Sequence, residues 1–199
     1  MSKKFLACVI CFVVIFSAIP ALAIGFTDFN EAKRLAEDID YAPAQLALAL
    51  MYDNGNGVAQ DKTEAVKWYL KAAEQGHSDA QYNLGLMYYH GEGTARSYPE
   101  ALKWWRKSAE QGHPEAQYSM GVMFYHGRGT ERNKTEALKW LQKAAEQGHS
   151  EAQFTIGSMY HKGDGVQRNK AEAFIWYRRA AQHGHQKAIR ELKKLGKIW

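Results

Sequence analysis

Past residue 23 the sequence has no cysteine: its two, Cys8 and Cys11, both stand near the start. That excludes thiol nucleophiles, thiolate metal sites and disulfide staples, and leaves packing to hold the rest together. No charge of one sign dominates either. The 26 Lys and Arg face 21 Asp and Glu, and the two kinds are interleaved, which is no nucleic-acid footprint. After the first 20 residues no long apolar run remains, so a polytopic membrane protein is excluded. Hydrophobic residues make up 46% and charged residues 24%, which places the chain with folded rather than disordered proteins.

What is present begins with a leader. Lys3 and Lys4 precede a nearly unbroken apolar stretch from Phe5 to Ile19, and Pro20-Ala21-Leu22-Ala23 supplies the small residues of a cleavage site. Residues 1–23 read as a secretory signal peptide. The apolar stretch is short for a membrane anchor, which needs roughly 18 to 20 residues. Loss of Lys3 and Lys4 lowers the formal charge from +5 to +3. The destination is an exported compartment where disulfides are permitted, with no stable membrane span after cleavage.

From residue 42 the chain repeats every 36 residues. Trp68, Trp104, Trp140 and Trp176 keep that step, as do Gly55, Gly91, Gly127 and Gly163, and the Gly-His pairs at 76, 112, 148 and 184. Four units follow one another, at 42–77, 78–113, 114–149 and 150–185. A capping helix is expected within 24–41, and a capping helix and tail at 186–199. Such a period means a repeat architecture.

Each unit reads as two helices. Ala80, Leu84 and Met87 fall on one stripe at steps of four and three, and Gly91-x-Gly93 then breaks the helix. The second helix opens on Asp61, Ser97, Asn133 or Asn169, each followed three residues later by Glu. This predicts capping boxes, with the reciprocal bond best formed at Ser97. Gly112 and its equivalents close the second helix. Gly85, Gly121 and Gly157 stand mid-helix at a cost of roughly 1 kcal/mol each relative to Ala, which predicts a crossing helix that leaves no space for a Cβ. The fold class is therefore all-α: an α/α superhelical solenoid of stacked antiparallel hairpins, similar to tetratricopeptide proteins.

The run formed by Leu84, Gly85, Met87, Tyr88, Gly91 and Gly93, followed by Glu100, Ala101 and Trp104, resembles the Sel-1-like repeat, a relative of the tetratricopeptide repeat. The resemblance covers about 42–195. It implies a protein-interaction scaffold without cofactor, acting in the bacterial envelope or secreted. Some cysteine-rich relatives are linked to β-lactam or peptidoglycan binding, but this chain lacks their cysteines.

Positions that drift between units are free to specify a ligand. On the first helices they are Pro43, Ala47, Leu50 and Asn54; Asp79, Asn83, Leu86 and His90; Glu115, Ser119, Val122 and His126; and Glu151, Thr155, Ser158 and Lys162. Each set occupies one helical face. If the solenoid curves as tetratricopeptide proteins do, these faces line its concave side and bind a peptide or protein. The second reading is a peptidoglycan-directed role or control of a wall hydrolase; Trp105, Tyr69 and Tyr177 could stack on sugars there if exposed, but helix packing is the commoner use of such aromatics. No catalytic motif, metal-ligand pattern or nucleotide fingerprint stands in the chain. His77, His113, His149 and His185 recur at one turn position and are assigned a structural role.

Overall fold

The computed structural model describes residues 28–195; the leader and Trp199 lie outside them. Among the described residues ten helices and no strands are found: α1 (Phe29–Asp38), α2 (Ala42–Asn54), α3 (Lys62–Glu74), α4 (Ser78–His90), α5 (Tyr98–Glu110), α6 (Pro114–His126), α7 (Lys134–Glu146), α8 (Ser150–Lys162), α9 (Lys170–Gln182) and α10 (Gln186–Lys194). Consecutive helices pack on one another along the whole stack. The molecule is an all-α solenoid of antiparallel hairpins.

Local chemistry sets the ends of each element. Gly91, in the left-handed region at φ 76°, closes α4, and its amide donates to the Met87 carbonyl. The second helices end differently. After α5, the Gly112 amide donates to Ala109 and the His113 amide to Ser108, a Schellman arrangement with Gly112 just beyond the cap. Asp61, Asn133 and Asn169 accept from amides of the first turn at 2.9–3.1 Å, whereas Ser97 makes the longest of these bonds, at 3.4 Å to Glu100. The reciprocal half of the expected capping box is replaced. The Ser97 amide donates to the Tyr88 carbonyl, and Asp61, Asn133 and Asn169 do likewise to Tyr52, Phe124 and Tyr160. Glu64, Glu100 and Glu136 are left to pair with the lysine three residues on.

The mid-helix glycines are contact points. A Cβ on Gly85 would lie 2.4 Å from the Trp105 ring, one on Gly121 2.6 Å from Leu141 Cγ, and one on Gly157 2.7 Å from Tyr177 Cδ1. Small residues thus let the two helices of a hairpin cross closely, and the large partner fills the space. Between hairpins the tryptophans do the filling: Trp104 joins the core of the first repeat and Trp140 that of the second. Lys71, Lys107, Lys143 and Arg179 lie 4.0–4.7 Å above the Trp68, Trp104, Trp140 and Trp176 rings and cover them from water.

Buried amides tie the layers together. Gln45, Gln81, Gln117 and Gln153 are buried, and the last three donate to the Ala73, Ala109 and Ala145 carbonyls. Gln75, Gln111 and Gln147 donate to Gln45, Gln81 and Gln117, each at 2.8 Å; His183 occupies the fourth such place, beside Gln153. Each repeat thereby satisfies polar groups of its neighbour that burial would otherwise leave unpaired.

Candidate functional site

The drifting positions of the first helices fall on α2, α4, α6 and α8; on α2, Pro43 and Ala47 are half-buried and Leu50 and Asn54 exposed. Asp79, His90, Glu115, His126 and Lys162 are exposed; Asn83, Leu86, Ser119, Val122, Glu151, Thr155 and Ser158 are half-buried. Leu86 packs against the core, and the other side chains stand outside it. Between α6 and α8 the surface sinks into a cleft of about 210 Å³. Val122, His126, Glu151, Thr155 and Ser158 line it together with Tyr118, Tyr125, Phe154 and Asp164. Five of the expected residues therefore meet in one depression, and Asn83 and Leu86 lie one repeat away on α4.

The edges of this surface are polar for distinct reasons. At the N-terminal ends of α6 and α10, the capping histidine reaches back to the acid that opens the preceding first helix. His113 Nε2 lies 3.2 Å from Asp79 and His185 Nε2 lies 2.7 Å from Glu151. The Nδ1 atoms of His113, His149 and His185 accept the Ala116, Ala152 and Ala188 amides at 3.1–3.3 Å, so the proton sits on Nε2. The three rings stack at 4.5–4.8 Å on Tyr82, Tyr118 and Phe154 of the preceding first helix. Burial holds His149 below its ordinary pKa, against the pull of Glu115 and Glu151. These histidines are structural joints. His77 makes no side-chain cap, and Leu46 stands where the other units supply the aromatic partner.

At the opposite end, His90 and His126 meet Tyr89 and Tyr125 edge-on at 5.0 and 4.9 Å. Among the described residues no group of three or more His, Cys, Asp or Glu could hold a metal ion. Sequence reasoning missed Asp164 and Tyr125. Lys134 and the Tyr125 hydroxyl both bond the Asp164 carboxylate and hold its pKa below the ordinary range, Lys134 contributing most. The signal was available: Asp164 is the middle residue of a Gly-x-Gly turn, which reads Asn56, Glu92, Arg128 and Asp164 in successive units. Glu92 pairs with Lys62 as Asp164 does with Lys134, while Arg128 turns to the Tyr89 hydroxyl.

The aromatic residues that could stack on sugars only if exposed are buried. Trp105, Tyr69 and Tyr177 are 3%, 1% and 3% exposed. Trp105 and Tyr177 are the large partners beneath Gly85 and Gly157, and Tyr69 bonds Asp53 from within the first-repeat core. Their use is helix packing: the small residue on the crossing helix leaves a hollow that a large buried side chain fills, as Leu141 does at Gly121.

The Sel1 repeat pattern matches residues 42–77, 78–113, 114–149 and 150–185, four consecutive units. The chain belongs to the Sel1 repeat family. Sel1 repeats build non-catalytic scaffolds of the kind that mediate protein–protein contacts. Among solved structures, it is similar to c5321, a protective antigen present in uropathogenic Escherichia coli strains, with 41% identity and a TM-score of 0.81. That match covers 84% of this chain and 36% of the other, so this chain spans about a third of its length. A Sel1 repeat protein from Oxalobacter formigenes is 34% identical with a TM-score of 0.77, covering 85% of this chain and 68% of that one. Helicobacter pylori cysteine rich protein B, 18% identical with a TM-score of 0.54 and covering 67% of this chain and 96% of that one, shares the fold alone. No curated protein matches.

Proposed function

We propose that α4, α6 and α8 present one continuous binding surface for a peptide or protein segment, and that the protein works in the periplasm or outside the cell. The observation that carries this is the cleft between α6 and α8. It brings together Val122, His126, Glu151, Thr155 and Ser158, residues free to vary because the core does not use them. Its composition suits an extended chain: an apolar patch from Val122 and Phe154, hydroxyls at Thr155 and Ser158, and acids at one edge. Leu86 and Asn83 continue the same pattern on α4. The burial of Trp105, Tyr69 and Tyr177 removes the aromatic support for a peptidoglycan-directed role. Export is supported by the leader-like residues 1–23 and by the E. coli relative, since a protective antigen is met by the immune system. No helix among the described residues is long and apolar enough to cross a membrane.

Photo-crosslinkers placed singly at Val122 and Ser158, and at Lys103 and Lys139 on the exposed side of α5 and α7, test this in living cells. One protein species captured from the first pair and absent from the second is the expected result. Capture from the second pair alone would move the binding surface to the second helices.

A further inference from the structure

Three departures from the repeat meet in the cleft between α6 and α8. The position that packs beneath the mid-helix glycine reads Tyr69, Trp105, Leu141 and Tyr177 in successive units, so the third alone carries no ring there. Leu141 closes against Gly121, and both residues line the cleft. In the second unit the Trp105 ring lies 5.3 Å from Tyr89, and Arg128 bonds the Tyr89 hydroxyl. At the corresponding places of the cleft Leu141 replaces the ring and Asp164 the arginine, while Ser158 stands where Leu50, Leu86 and Val122 do. The first change takes bulk from the floor. The other two make the walls polar and acidic.

Two carboxylates, Glu151 and Asp164, line the cleft, and no lysine or arginine does. The two acids are not equivalent. Lys134 takes one Asp164 oxygen and the Tyr125 hydroxyl the other, and Lys162 and Arg132 also act on that end. Glu151 Oε2 accepts only from His185 Nε2, at 2.7 Å, and that imidazole is neutral because its Nδ1 accepts an amide. Among the described residues no cation pairs with Glu151. Exposed Glu115 stands one repeat before it and exposed Lys187 one repeat after. The charge of Glu151 reaches into the cleft: burial raises the Tyr118 hydroxyl above its ordinary pKa, and Glu151 raises it further. Between the two ends the lining is apolar or hydroxylic, with Val122, Phe154 and Met159 beside Thr155 and Ser158.

We infer that this cleft is the anchor pocket of the binding surface and takes one lysine or arginine side chain of the partner, its stem against Val122, Leu141 and Met159 and its cation on Glu151. The inference rests on the reading of the first-helix face given above and adds what that face selects. A volume of about 210 Å³ lies below the roughly 300–1,000 Å³ of small-molecule sites and suits one inserted side chain. A cation on an aliphatic stem matches both the apolar walls and the unpaired acid. An acidic side chain would meet Glu151 as a like charge, and an aliphatic one would cover the carboxylate without pairing it.

Blocked peptides Gly-Ser-Xaa-Ser-Gly, with Xaa arginine, lysine, methionine or glutamate, are the probes. They are titrated into the isotope-labelled protein as cells process it, and the methyl signals of Val122 and Met159 are followed. The arginine and lysine peptides are expected to shift both signals saturably, and the methionine peptide to bind about tenfold more weakly, the factor one charge-assisted bond contributes. The glutamate peptide is expected to leave them unmoved. Glu151→Gln keeps an acceptor for His185 but removes the charge, and should bring the arginine and lysine peptides down to the methionine level. Leu141→Trp restores the ring that Trp105 supplies in the second unit, and should abolish the shifts with the helical circular-dichroism signal unchanged. Equal binding of the methionine peptide, no shift with any peptide, or indifference to Glu151→Gln would overturn the inference. So would preference for the glutamate peptide, which would assign the cleft to Lys134 and Lys162. An unblocked peptide without basic residues that binds as well as the arginine peptide would also overturn it, in favour of a chain's terminal ammonium. Cellular capture at Val122 and Ser158 without any preference for a cation would remove the anchor and leave the binding surface standing; absence of capture would remove the surface itself.

Discussion

Gly85 shows how much one missing carbon atom can decide. Alanine there would gain about 1 kcal/mol in helix propensity, yet its Cβ would stand 2.4 Å from an indole ring that is itself anchored by a Trp105 Nε1 bond to the Tyr82 carbonyl. Overpacking of this kind costs about 1–3 kcal/mol, so Gly85→Ala is expected to lower the urea midpoint of unfolding despite the better helix former. A raised midpoint would show that the indole moves aside freely. His149 sets a pH dependence at the same scale. Burial lowers its folded pKa below the ordinary 6.5, so the unfolded chain binds the extra proton more readily. The stability it contributes is fully present above about pH 6.5 and is lost as pH falls from there through the lower folded value. His149→Asn keeps a capping side chain without titrating. The melting temperature of this variant is expected to fall less between pH 7.5 and 5.5 than that of the parent; equal slopes would contradict the assignment.

Among the elements, the glutamine ladder is the least replaceable polar feature. Gln81→Leu would keep the volume but strand the Ala73 carbonyl and the Gln111 amide, both of which it now serves. A loss of about 1–3 kcal/mol is expected, measured by urea unfolding, and a neutral effect would mean that water replaces the side chain. The ladder also marks the boundary of what sequence conveys. The helices, their turns and the tight crossings at Gly85, Gly121 and Gly157 were legible because periodicity and small residues translate directly into packing. Gln81 was not, although it recurs as strictly as Trp104, because its meaning depends on a carbonyl eight residues back and an amide thirty residues ahead. The capping box was half legible for the same kind of reason: sequence shows the cap residue but not that the preceding helix, through Tyr88, takes the cap's amide. Of the candidate site, the face was legible from drifting positions, whereas Asp164 entered the cleft through a turn whose course only the fold reveals.

The whole molecule is a sum of similar layers, and its stability should follow that arithmetic. Removal of residues 114–149, one complete unit, joins α5 to α8 in the phase that α6 now occupies. The shortened chain is expected to remain helical and cooperative, with a smaller urea m-value because less surface is exposed on unfolding. Removal of residues 132–149 alone deletes α7, breaks the alternation and is expected to abolish cooperative unfolding; an equally cooperative product would argue against layer-by-layer construction. The proposed binding role rests on which side of this stack stays open. Hydroxyl-radical footprinting, performed with and without the partner captured by crosslinking, tests that most directly. Protection of Tyr118, Tyr125 and His126, with unchanged reactivity at Trp176 and Ile175 on α9, is the predicted result. Protection confined to Trp176 and Ile175, with the cleft residues as reactive as before, would contradict it.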